Sequence, residues 1–298
     1  MSFTSFSPCC VKGSILPGTP RGVFEPPSDL GLVRRKVGRY HATPSIQSAG
    51  EEVTTKKKKR KEEVAVVMFS DIFGLQINNC KILADIYADQ LDVHVFVPDY
   101  IPYPPPESAF TNVAESYPEE LSNRSWIAST VEWIKVGLKV WRWIPTFLFP
   151  GKQIKLAELA LNDLLKEGYT TLLLIGYCRG ATIIEYLLSS SSPTTRELIR
   201  CAVLSHPEPK PKLYKAIDKP TIWNIPDHDA FFKSREVREL SRVMGKKVKD
   251  DGIDFTCFVH KDTIHGFANR PALGHEPTRK AFEKVCADTV DFFKRYLE

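Results

Sequence analysis

From Val64 to the end of the chain, short and almost continuously apolar runs alternate with segments long enough for several helical turns. The runs are "VAVVMF" from Val64, "DVHVFV" from Asp92, "TTLLLI" from Thr170, "CAVLS" from Cys201, "PTIWNI" from Pro220 and "IDFTCFV" from Ile253. A strand with one wet face alternates apolar and polar residues; a run without that alternation buries both faces, as strands do inside a parallel sheet. Between the runs lie "QINNCKILADIYADQL", "GKQIKLAELALNDLLKEG", "GATIIEYLLSS" and "AFFKSREVRELSRVMG", and "PTRKAFEKVCADTVDFFKRYL" closes the chain. Strand and helix therefore alternate. The expected fold is α/β, a mostly parallel central sheet with helices on both faces and ligands at the carboxyl ends of the strands.

The helices rest on spacing. Ile154, Leu156, Leu159, Leu161, Leu164 and Leu165 keep one broad apolar stripe, and Gly168 follows where a left-handed cap is wanted. Before Val64, "LVRRKVGRYHATPS" mixes apolar and basic positions as an exposed antiparallel hairpin would. The proline-rich "PYPPP" at 102–106 reads as a surface excursion. No repeat is visible, and residues 1–298 are taken as a single domain: an N-terminal segment and hairpin over 1–63, then a parallel-sheet core over 64–298.

The charge balance argues against a nucleic-acid partner. The formal net charge is +5, but the run "KKKKRK" from Lys56 to Lys61 supplies six basic residues, and without them the chain is at −1. That run is expected to be a solvated loop, with nuclear targeting as the lesser reading of an otherwise cytoplasmic protein. The seven cysteines, Cys9, Cys10, Cys80, Cys178, Cys201, Cys257 and Cys286, are odd in number and show no CxxC spacing, so neither a metal site nor a disulfide framework is expected, and a reducing compartment fits. No stretch reaches the roughly 20 consecutive apolar residues of a membrane span. No cofactor is implied. A secretory leader is not expected at the N-terminus; its Ser- and Thr-rich start, with Arg21 and no acid before Glu25, has the composition of a transit peptide.

The chemistry is concentrated in "GYCRG", residues 176–180, where the "TTLLL" run gives way to "ATIIEYLL". A nucleophile on a strained strand-to-helix turn needs small residues two before and two after it, and Gly176 and Gly180 flank Cys178 at that spacing. The helix N-terminus favours thiolate over thiol, and the Arg179 N–H stands where half of an oxyanion hole belongs. The plain alternative is a small buried thiol that fills a tight corner.

Such enzymes bring the acid and the base later in the chain. His265, in "TIHGFANR" after the last strand, is the expected base, with His260 as runner-up; His41, His94, His206, His228 and His275 read as surface or hydrogen-bonding histidines. The acid should follow "TIWNI", where "PDHD" offers two aspartates: Asp227, nearer the strand end, is preferred, and Asp229 is assigned to capping the helix that opens at Ala230.

With these residues in place the chain resembles the dienelactone hydrolase family of α/β-hydrolases, through "CCVKGSILPGTPRG", "VVMFSDIFG", "VFVPDY", "GYCRG", "PDHD" and "HGFANR". The resemblance covers most of the length and makes the N-terminus part of the fold rather than a transit peptide. It implies an α/β-hydrolase fold and a triad of Cys178, Asp227 and His265. It further implies a second oxyanion N–H from Ile72, a carboxylate at Asp71 that pairs with the resting thiol, and an arginine, Arg270, that holds a substrate carboxylate. Two departures stand out. Ala181 replaces the glycine that usually ends the motif, and Arg179 takes a place often held by an apolar side chain.

The activity implied is hydrolysis of a small-molecule ester or lactone through a thioester, the substrate bearing a carboxylate if Arg270 plays its family part. The rival readings are a non-catalytic binding or interaction protein on the same scaffold and a redox-sensing thiol. The stretch "WIASTVEWIKVGLKVWRWIPTFLF" reads first as core packing and second as a lid lined by Trp126, Trp133, Trp141 and Trp143.

Overall fold

The computed structural model describes residues 14–28, 35–45, 63–105 and 150–297. The Lys56 to Lys61 run, Cys9, Cys10 and the four lid tryptophans lie outside the described residues.

Eight strands form one sheet: β1 (Val23–Glu25), β2 (Arg39–Ala42), β3 (Val64–Phe69), β4 (His94–Pro98), β5 (Thr171–Tyr177), β6 (Ile199–Ser205), β7 (Thr221–His228) and β8 (Phe255–Ile264). The helices are α1 (Asn79–Leu91), α2 (Gly151–Lys166), α3 (Arg179–Ser190), α4 (Pro193–Leu198), α5 (Pro211–Tyr214), α6 (Ser234–Asp251) and α7 (Glu276–Leu297). Strand order is β1-β2-β4-β3-β5-β6-β7-β8. From β4 to β8 all pairings are parallel, while β1, β2 and β4 pair antiparallel. This is the mostly parallel α/β architecture expected from the alternation of runs.

Both faces of the sheet are dry, and the pleat sorts the side chains between them. Along β3, Val66 and Met68 join one core with Leu83, Tyr87, Phe292 and Phe293 of α1 and α7. Their neighbours Val67 and Phe69 join the other with Leu161, Ile184, Leu187 and Leu240 of α2, α3 and α6. The near-continuous apolar runs follow directly, since every residue meets a helix layer on one side or the other. Helix α2 ends as its sequence requires: Gly168 takes φ +102°, and the Tyr169 N–H donates to the Leu164 carbonyl at 3.0 Å.

Two expectations are corrected. The N-terminal hairpin exists, but its arms are β1 and β2, and β2 is not exposed, because it pairs with β4 inside the sheet and buries Arg39, Tyr40 and Ala42. The helix foreseen at Ala230 starts instead at Ser234.

The chain turns back on itself between β3 and β5: β4 is laid on one side of β3 and β6 to β8 on the other. At that switch point the carboxyl ends of adjacent strands diverge and open a crevice. Asn79, at the start of α1, ties the N-terminal segment to this end: Leu16 N–H donates to its Oδ1 at 3.0 Å, and its Nδ2 donates to the Ser14 and Asn269 carbonyls at 2.8 Å each.

Candidate active site

Cys178 is the only residue between β5 and α3, and it holds φ 51°, ψ −112°, a conformation that side chains other than glycine rarely adopt. The two glycines explain how so sharp a corner fits. A Cβ on Gly180 would stand 2.1 Å from the Phe69 carbonyl oxygen, and one on Gly176 would stand 2.6 Å from the Ala181 nitrogen. Without side chains at these positions, α3 can begin directly against the end of β3. The Cys178 carbonyl accepts the Thr182 N–H at 3.1 Å, and Cys178 is 8% exposed.

His265 follows the last residue of β8 and is buried beside the elbow. Its Nδ1 lies 2.8 Å from Asp229 Oδ2, and its Nε2 makes no hydrogen bond to nitrogen or oxygen among the described residues. Burial works to lower the imidazole's proton affinity, yet the Asp229 carboxylate and the Cys178 sulfur together raise its pKa well above the usual histidine value. The ring is further located by edge contacts with Phe231, centroids 5.3 Å apart, and His206, 4.8 Å apart.

The carboxylate that reaches His265 is thus Asp229, which corrects the preference for Asp227. Strand β7 does not stop at Ile225; it runs on to His228, so Asp229 is the first residue beyond its end. Asp227 lies within the strand, across a register shift against β8, where it accepts the Asp262 and Thr263 N–H groups at 3.1 and 3.2 Å. Asp229 keeps a capping part as well, its Oδ1 accepting the Phe231 and Phe232 N–H groups at 2.7 and 3.2 Å. One carboxylate therefore closes the turn and orients the imidazole.

Asp71, directly after β3, is 2% exposed. Its Oδ2 accepts from Arg270 Nε at 2.7 Å and from Asn269 Nδ2 at 2.8 Å, and its Oδ1 accepts the Phe73 N–H at 3.0 Å. The two residues expected to hold a thiol and a substrate carboxylate are each other's partners, so the pairing of Asp71 with the resting thiol is corrected. The arginine that arrives after His265 neutralises this aspartate. Arg270 also lies over the Phe73 ring, 4.7 Å from its centroid.

Ile72 follows at the same corner, 5% exposed, and its N–H forms no hydrogen bond among the described residues. The Arg179 N–H belongs to the first residue of α3; its buried guanidinium lies 3.8 Å from Glu208. His260, the runner-up base, is engaged elsewhere: its Nε2 is 3.0 Å from Asn224 Oδ1, and burial lowers its pKa to about 4.

His206 is the residue that sequence reading passed over. It sits at the carboxyl end of β6, beside the elbow, fully buried, with φ 42°. Its Nδ1 accepts the Cys178 N–H at 3.1 Å. The signal was present, since the strand-end rule that singles out the other site residues applies equally to the residue after "CAVLS".

Four strand ends thus bring together a thiol, two imidazoles and a carboxylate, arranged for nucleophilic attack with proton transfer. No helix among the described residues is long and apolar enough to cross a membrane.

Comparison with known proteins agrees with the fold. The family model described as "Dienelactone hydrolase family" matches residues 152–297, which include Cys178, Asp229 and His265. Among solved structures, a dienelactone hydrolase-like promiscuous phosphotriesterase from metagenomic libraries is similar at 15% identity and a TM-score of 0.51, over 91% of this chain and 97% of that one. An esterase from Pyrococcus furiosus is similar at 12% identity and 0.52, over 96% and 99%. A thermophilic esterase from Thermogutta terrifontis is similar at 14% identity and 0.51, over 92% and 93%. No curated protein matches the sequence.

Proposed function

We propose that this chain, whose residues 152–297 match the model of the dienelactone hydrolase family, cleaves a small-molecule ester or lactone with Cys178 as nucleophile, His265 as base and Asp229 as the acid that orients it. The observation that carries this reading is the strained Cys178 held beside an imidazole whose other nitrogen is 2.8 Å from a buried carboxylate.

The chemistry runs in two steps. The sulfur, with its proton on His265, attacks the carbonyl carbon; a C–S bond forms, and the N–H groups of Ile72 and Arg179 receive the oxyanion. As the carbonyl re-forms, the C–O bond to the alcohol breaks and the imidazolium gives that alkoxide its proton. Water then attacks the thioester, losing its proton to the neutral His265, and the thiolate leaves as the acid is released. Asp229 holds the Nδ1–H tautomer and offsets the imidazolium charge in both steps.

The resting thiol lacks the regulating carboxylate expected at Asp71, because that group is bound to Arg270. The imidazole is therefore the thiol's proton acceptor. A substrate carboxylate, if the natural ester bears one, competes with Asp71 for Arg270.

The test is hydrolysis of p-nitrophenyl acetate by purified protein and by Cys178→Ala. The variant is expected to fold as the parent does and to show no hydrolysis above background; an unchanged rate removes the assignment.

A further inference from the structure

A second imidazole touches the nucleophile. His206 is 0% exposed, its Nδ1 accepts the Cys178 N–H at 3.1 Å, and its ring meets that of His265 edge to face at 4.8 Å. Its Nε2 has no hydrogen-bond partner among the described residues. A ring whose Nδ1 accepts a hydrogen bond must, when neutral, carry its proton on Nε2. The molecule therefore buries an N–H without an acceptor, which is unfavourable, and keeps at this place a nitrogen lone pair that shares the nucleophile's backbone N–H with the Ser205 carbonyl, 3.0 Å away.

An apolar residue would fill the same volume at no such cost. What it would lack is the side-chain half of a shared bond: the N–H of Cys178, the residue whose φ of 51° is the strained point of the elbow, donates both to the Ser205 carbonyl at 3.0 Å and to the His206 Nδ1. A bulky group with φ 42° at residue 206 itself adds a second strained position, so the ring is held where two unfavourable backbones meet. We propose that His206 is a positioning residue of the reaction, a neutral imidazole whose Nδ1 lone pair locks the Cys178 backbone and whose ring edge seats His265 against the sulfur.

The inference rests on the thiol hydrolase reading and extends it to a group outside the triad. It also predicts a pH dependence with a definite sign. Protonated His206 would turn an N–H toward the Cys178 N–H, donor against donor. The groups that face it are Cys178 and Tyr177 from the end of β5, Asp229 from the turn after β7 and His265 from the turn after β8. Burial first, and then the neighbouring His265 charge, lower its pKa from the usual value, against the opposing pull of Cys178 and Asp229. The lock therefore holds at neutral pH and opens on the acid side.

The experiment compares His206→Leu, which leaves the Cys178 N–H only its Ser205 carbonyl acceptor, with His206→Asn, whose amide oxygen can stand near the Nδ1 position and does not titrate. Two quantities are read across pH: hydrolysis of p-nitrophenyl acetate, and the rate of Cys178 alkylation by iodoacetamide, located by peptide mass. His206→Leu is expected to lower kcat on the order of tenfold or more with KM nearly unchanged, as a misplaced reacting group does, and to slow Cys178 alkylation. His206→Asn is expected to recover most of both at neutral pH and to retain them at acid pH where the parent protein loses them.

Equal kcat and alkylation in His206→Leu overturn the inference, and so does an acid limb that is the same in His206→Asn as in the parent. If His206→Leu does not fold, the pH profile of His206→Asn alone decides. Should the parent hydrolyse no ester, the hydrolase reading fails, while the alkylation rates still judge His206.

Discussion

His265 Nδ1 and Asp229 Oδ2 stand 2.8 Å apart with both side chains almost completely buried, while Asp227, two residues earlier, is 30% exposed and bound to backbone N–H groups near the end of β8. The two aspartates therefore have separable parts. Asp229→Asn keeps the shape but loses the charge that fixes the tautomer and offsets the imidazolium; kcat is expected to fall by roughly 10²–10⁴. Asp227→Asn should stay within about threefold of the parent. Steady-state kinetics of the two variants check this, and a larger loss at Asp227 would reverse the assignment.

Among the five described cysteines the structure separates one from the rest. Burial pushes the Cys257 thiol up to about 12 and the Cys286 thiol up to about 11, and it raises Cys80 and Cys201 further. Cys178 instead adjoins an imidazole that retains its proton and the N-terminus of α3, an environment that favours thiolate. Iodoacetamide at pH 6 should label Cys178 before the other four, as read by peptide mass mapping. Labelling of Cys286 at a comparable rate would contradict the site.

The fold was legible because both faces of the sheet are covered: Val66 and Val67 point to different cores, so neither could be polar, and the strands stood out as unbroken apolar runs. Cys178 and His265 were legible for a related reason, one through the paired glycines of its corner and the other through its place after the last strand. Asp229 was misread because the end of β7 cannot be seen in "NIPDHD". Proline and polar residues suggest a stop at Ile225, whereas pairing with β8 carries the strand to His228. The Asp71–Arg270 pair was hidden for another reason. Its partners are 199 positions apart, and only the closing of the β8–α7 loop onto the end of β3 brings them together.

Glu185 lies inside α3 and is fully buried. Burial, partly opposed by the Lys210 ammonium, raises its pKa well above the ordinary carboxyl value. The sign follows from linkage. Below the unfolded value of 4.5 both states are protonated and the group is neutral with respect to folding; as pH rises past it, the unfolded chain loses a proton that the folded one keeps, and stability falls. Glu185→Gln mimics the protonated acid and does not titrate, so its melting temperature should match the parent near pH 4 and exceed it increasingly toward pH 8. Each kcal/mol gained corresponds to about 2–4 °C in a chain of this class. Differential scanning calorimetry at the two pH values checks the trend; a variant less stable than the parent at pH 8 would show that the carboxylate has a charged partner there.

Two glycine replacements separate close approach from mere helix propensity. At Gly180 an added methyl would meet the backbone of Phe69, with the carbonyl oxygen at 2.1 Å and the carbon at 2.5 Å, and neither is the flexible end of a side chain. The start of α3 would have to move away from β3, carrying Cys178 with it. Gly180→Ala is expected to cost ~3 kcal/mol in stability, as overpacking does, and to abolish hydrolysis through displacement of the sulfur. At Gly245, inside α6, nothing stands within 4 Å of the same added carbon. There alanine removes only the entropy that glycine loses on entering a helix, so Gly245→Ala should gain about 1 kcal/mol and leave kcat alone. Urea unfolding followed by the far-ultraviolet helix signal measures both changes on one scale. The contrast matters more than either value: equal, small effects at the two positions would mean that α3 does not abut β3, and the strained setting of Cys178 would lose its structural cause.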